Sequence, residues 1–91
     1  MALFLIERNF AEALGEVTAD DVLGIQAIND DASVRWIYSF LTADRRKSYC
    51  LYEAPSAEHI LEAARRASLP ADVIIPVDQL DPAAMLGAAN R

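Results

Sequence analysis

The sequence predicts a ferredoxin-like α+β fold: a βαββαβ antiparallel sheet with two helices on one face, and a dimeric α+β barrel-like assembly. Three observations carry that expectation. Apolar residues recur with strand or helix spacing in six segments, in the order β-α-β-β-α-β. The two central strand segments are joined by a short polar turn, as in a hairpin. The strands are also apolar on both sides, although two helices can cover only one face of a sheet.

Residues 2–10, "ALFLIERNF", form the first strand, with Phe4, Ile6 and Arg8 on one face and Leu3, Leu5 and Glu7 on the other. "AEALGEV" follows as a loop. Thr18 is placed to cap a helix whose first turn holds Asp20 and Asp21, where carboxylates meet the positive end of the helix dipole. Val22, Ile25 and Ile28 continue it to about residue 29. In 34–41, "VRWIYSFL", strict alternation puts Val34, Trp36, Tyr38 and Phe40 on one side and Arg35, Ile37, Ser39 and Leu41 on the other. "TADRRK" turns the chain into 47–54, "KSYCLYEA". Ser56 is the expected cap of a second helix with an apolar stripe of Ile60, Leu61 and Ala64, ended by "SLP". "DVIIPV" at 72–77 closes the sheet, with Pro76 suited to an edge.

Chain length allows one domain, residues 1–78, followed by a tail at 79–91. The alanine-rich tail lacks a clear period; it is expected to be partly ordered or to lie on a partner subunit through Met85 and Leu86. An apolar fraction of 54% against 24% charged residues describes a folded protein rather than a disordered one. Net charge −6 excludes nucleic acid as the expected partner, because phosphate binding needs clustered cations. The one basic run, Arg45-Arg46-Lys47, reads as a solvated turn. A single cysteine makes no intrachain disulfide. The opening "MALFLIERNF" lacks a basic flank and is too short to span a bilayer, so the expected location is cytoplasmic, with no membrane partner. The second apolar sheet face is expected to be covered by another copy of the chain, giving a homodimer through the open sheet face.

Chemistry-bearing residues are few. Cys50 shares a strand face with Ser48, Tyr52 and Ala54, away from any base, and reads as a packed residue rather than a nucleophile. His59 and Glu62 share one face of the second helix and are the candidate metal ligands, although two ligands are fewer than a tight transition-metal site uses. A pocket between sheet and helices would be lined by Trp36, Tyr38, Cys50 and Tyr52. Phosphate-cradling glycine loops, paired catalytic carboxylates and CxxC motifs are absent.

Together "FLIERNF", "RKSYCLYEAPS" and "LPADVIIPVD" resemble a small bacterial family of nickel-binding, ferredoxin-like proteins, a domain family of unknown function. The resemblance covers residues 2–78, and its strongest mark is Tyr49-Cys50-Leu51-Tyr52-Glu53-Ala54-Pro55. It implies a dimeric ferredoxin-like fold and binding of Ni2+ or another divalent metal at the dimer surface. The nickel-binding relatives carry histidines near the end of the first strand and along both helices. This chain has Arg8-Asn9, "VLGIQAIN" and only His59 there, so a relative's metal site is not expected intact. A second, looser likeness joins Asn9, Trp36 and His59, which match in residue type the trio of haem-degrading and quinone-forming monooxygenases of dimeric barrel fold. The sequence therefore points to a small non-enzymatic homodimer that binds or buffers divalent metal. The alternatives are a small-molecule binding module and a monooxygenase-like enzyme.

Overall fold

The computed structural model describes residues 1–89. Strands β1 (Ala2–Asn9), β2 (Arg35–Leu41), β3 (Lys47–Ala54) and β4 (Val73–Val77) form one sheet in the order β2-β3-β1-β4. Every neighbouring pair is antiparallel. Helices α1 (Ala19–Asp31) and α2 (Ala57–Ala67) connect β1 to β2 and β3 to β4, giving the predicted βαββαβ order.

Phe4 and Ile6 of β1 and Cys50, Tyr52 and Ala54 of β3 are buried together with Ile60 and Ala63 of α2. Ile6 and Ile60 are wholly inaccessible. Acidic Glu58 in the first turn of α2 and basic Arg65 and Arg66 in the last complement the helix dipole. The helix stops where Ser68 takes a left-handed conformation (φ 57°), with the amides of Ser68 and Leu69 returning to the carbonyls of Arg65 and Ala64. Ser56 occupies the cap position, but its hydroxyl bonds the ring Nδ1 of His59 at 2.7 Å instead of a backbone amide.

Helix α1 begins as its sequence dictates. Thr18 Oγ1 accepts from the Asp21 amide, and Asp21 Oδ2 accepts from the Thr18 amide, a complete capping box. Its packing is looser than that of α2. Val22, Ile25 and Ile28 are only half-buried, Leu23 is exposed, and the one buried residue of the helix is polar Asn29. Asp31 at its end is tied to Arg66 of α2 by a 2.7 Å ion pair. Space is left between α1 and the sheet.

One expectation needs correction. Strict alternation fails in β2, because a bulge at Ile37 interrupts the ladder between Trp36, opposite Tyr52, and Tyr38, opposite Leu51. Trp36, Ser39 and Leu41 therefore face the helices, while Tyr38 and Phe40 face the open side. In the tail, Pro82–Ala89 form helix α3, whose start is capped by Asp81 Oδ1 accepting from the amides of Ala83 and Ala84. Met85 and Leu86 on it are exposed.

Candidate functional site

The space under α1 is a cavity of about 500 Å³. Its floor is the helix-facing side of the sheet: Arg8 of β1, Trp36 and Ser39 of β2, and Cys50 and Tyr52 of β3. Ile25 of α1 and Leu69 beyond α2 close it from above, and the 10–17 loop supplies Phe10, Leu14, Glu16 and Val17 at its rim. The walls are overwhelmingly apolar. A volume of this size lies within the range of roughly 300–1,000 Å³ typical of small-molecule sites.

Stacking and hydrogen bonds tie the floor together. Trp36 and Tyr52 lie parallel at 6.4 Å between ring centroids, and the indole Nε1 of Trp36 donates to Ser39 Oγ at 2.7 Å. The guanidinium of Arg8 sits 5.7 Å from the centroid of the Tyr52 ring and donates to the Pro70 carbonyl at 2.5 Å. Burial pushes the Tyr52 phenol above its ordinary range, with the Arg8 cation pulling the other way. Cys50 is free and buried, with Sγ 3.6 Å from Ser48 Oγ.

The rim is held by a group that the sequence presented as a solvated turn. Arg45 (φ 61°) donates through Nε and NH2 to the carbonyls of Leu14 and Gly15 at 2.6 and 2.7 Å, and Arg46 NH2 donates to Ala11 at 2.8 Å. The basic hairpin tip is thus a clamp on the rim loop. A loop otherwise short of backbone partners is the only signal that would have indicated this role.

Of the four pocket residues named from the sequence, Trp36, Cys50 and Tyr52 converge on the cavity. Tyr38 does not, because the bulge turns it to the open face beside Phe40. His59 and Glu62 are both exposed on α2. Bidentate contact with Arg65 at 2.6 and 3.0 Å engages both oxygens of Glu62 and holds its carboxyl below the usual range. Glu53 pairs with Arg35 at 3.1 Å. Among the described residues no cluster of three His, Cys, Asp or Glu side chains is arranged to hold a metal ion. The Asn9, Trp36 and His59 trio does not converge either. Asn9 lies at the sheet end where it pairs with Lys47, whereas His59 follows the opposite end of β3. Arg8 was not singled out as a site residue from sequence. The available signal for Arg8 was a cation in phase with Phe4 and Ile6.

Residues 4–77 match the family model described as nickel responsive protein SCO4226-like. The chain belongs to this family. A solved relative is SCO4226 from Streptomyces coelicolor A3(2), whose crystal structure matches with TM-score 0.71 at 25% identity, covering 88% of this chain and 100% of that one. No curated protein sequence matches the chain. The family match takes in most of β1 and all of β2, β3 and β4, and ends before α3. It joins the chain to a nickel-responsive group and agrees with the ferredoxin-like α+β fold. No helix among the described residues is long and apolar enough to cross a membrane.

Proposed function

We propose that this member of the SCO4226-like family is a non-enzymatic, homodimeric, cytoplasmic binding protein that takes a small, largely apolar molecule in the cavity beneath α1. The observation that carries the reading is the cavity itself: about 500 Å³, walled by apolar side chains and floored by the Trp36–Tyr52 stack. Helix α1 supports the same reading. Its apolar stripe is only half-buried, so hydrophobic surface on both sides of the cavity awaits a cover. Homodimerisation is supported by the open sheet face, where exposed Tyr38, Phe40 and Ile75 lie beside half-buried Leu3 and Leu5.

The test is binding of the neutral fluorescent probe N-phenylnaphthylamine to the wild type and to Ala67→Trp, which fills the cavity from the end of α2. Saturable binding lost in Ala67→Trp, with circular dichroism unchanged, is the expected outcome. Equal binding by both proteins would remove the cavity as the site.

Family membership favours a second reading, divalent-metal binding with nickel as the reference ion. His59 is its centre: the ring is exposed, and Ser56 engages only Nδ1, leaving Nε2 for a metal. Two copies of His59 across a dimer, with Glu62 released from Arg65, would raise the ligand number towards four. Calorimetry with nickel chloride on the wild type and His59→Ala decides this reading. Heat lost in the variant supports it, and no heat in the wild type removes it.

A further inference from the structure

We infer that the cavity is an anion site anchored by Arg8, and that its ligand is an amphipathic carboxylate: a carboxyl group on a hydrocarbon or aromatic body. The inference rests on the cavity being a binding site, and it names the chemical class that site selects.

Arg8 is 3% exposed, and its guanidinium is charged at every relevant pH. Such a group is expected to have a carboxylate beside it, because a buried cation without a counter-ion loses its hydration with nothing in return. Arg8 has none. The ion pairs among the described residues belong to Arg35, Lys47, Arg65 and Arg66, all on the surface. The protein partners of Arg8 are the Pro70 carbonyl and Tyr52, through its ring face and its phenol, so most of its five N–H donors have no acceptor and none has a carboxylate. Two carboxylates also line the cavity, but neither pairs with it: Asp21 is committed to the Thr18 cap, and Glu16 stands on the exposed rim.

A second buried donor lies close by, outside the cavity: the amide Nδ2 of Asn29 is buried without a hydrogen-bond partner in a crevice it shares with Arg8 and Tyr52, one too narrow to hold a water molecule. Few native buried donors are left unpaired, and of the two only Arg8 also lines the 500 Å³ cavity, so its guanidinium indicates a missing acceptor group on the cavity side. A carboxylate fits it best, since its two oxygens match the planar fork of arginine. The remaining walls set the rest of the ligand. Phe10, Leu14, Ile25 and Trp36 offer only dispersion contacts, which a polar or multiply charged molecule would not satisfy.

The experiment compares octanoate, decanoate and phenylacetate with their primary amides on the full-length protein. Calorimetry and Trp36 fluorescence are read for the wild type and for Arg8→Met. At least one acid is expected to bind about tenfold or more tightly than its amide, and that preference to vanish in Arg8→Met while amide affinity changes less than about twofold. The comparison within the wild type needs no variant, so it stands even where Arg8→Met folds poorly. Equal affinity of acid and amide overturns the anion inference and leaves the cavity reading in place. If neither acids nor amides bind and N-phenylnaphthylamine also fails, both fall together.

Discussion

Trp36 and Ser39 are three residues apart on one strand, yet they share a face: the indole Nε1 donates to Ser39 Oγ at 2.7 Å. In a regular strand such a pair points to opposite sides of the sheet, so the bond exists only because Ile37 is bulged out of the ladder. The bulge keeps Trp36 over Tyr52 and turns Tyr38 outward. Ser39→Ala leaves a half-buried indole N–H without its acceptor and is expected to cost about 1 kcal/mol in urea unfolding. Ser39→Thr, which keeps the hydroxyl, is expected to recover most of that loss. A silent Ser39→Ala would mean that the bulge is held by packing alone.

The same bulge assembles the open face. Tyr38 and Phe40 meet edge to face at 5.4 Å, and Phe40 is 65% exposed in a single chain. Face-to-face packing of two such sheets removes this surface from water. Phe40→Lys adds a charge there without touching the interior. It is expected to shift the protein to a monomer in sedimentation equilibrium while leaving the far-ultraviolet dichroism unchanged. A wild type that is monomeric at micromolar concentration would reject the dimer outright.

The element order was legible because its signals are local. Thr18 with Asp21 announces the start of α1, and alternation in β1 and β3 places Phe4, Ile6, Cys50 and Tyr52 on the interior face. A bulge carries no such mark: "VRWIYSFL" alternates in sequence, and only its partner strand reveals that Ile37 is extra. Helix α3 did have a local signal, Asp81-Pro82, which outweighs the missing period of an alanine-rich segment. The cavity was half legible. Trp36, Cys50 and Tyr52 follow from strand parity, but Arg8 enters through what it lacks, and a missing counter-ion is visible only once neighbours are fixed in space.

Arg45 makes a separable prediction. It sits at φ 61°, a conformation costing a residue with a Cβ roughly 1 kcal/mol, while its side chain clamps the carbonyls of Leu14 and Gly15. Arg45→Ala keeps the backbone cost and loses the clamp; Arg45→Gly loses both. The glycine variant is therefore expected to be the more stable of the two by roughly 1 kcal/mol. Both should speed amide exchange across the 10–17 loop relative to wild type. Protection of that loop unchanged in either variant would show that the backbone bonds of Phe10 and Leu14 to the hairpin suffice.

The capping box of α1 ties stability to pH through Asp21. The backbone amide of Thr18, and then its side chain, hold the Asp21 carboxyl below its ordinary value of 3.8. The unfolded chain then binds the proton more tightly than the folded one. The cap's contribution is complete above the unfolded value and is lost as pH falls through the lower folded value. Asp44, Glu58 and Glu62 are depressed in the same direction, so the acid limb of the wild type alone does not isolate the cap. The difference between wild type and Asp21→Asn does, because the asparagine does not titrate while the other three carboxylates remain. Thermal midpoints from about pH 6 to about pH 2 are expected to show the wild type more stable at the upper end, with the gap closing below about pH 4. A gap of constant size across that range would mean that Asp21 contributes through hydrogen-bond geometry and not through its charge.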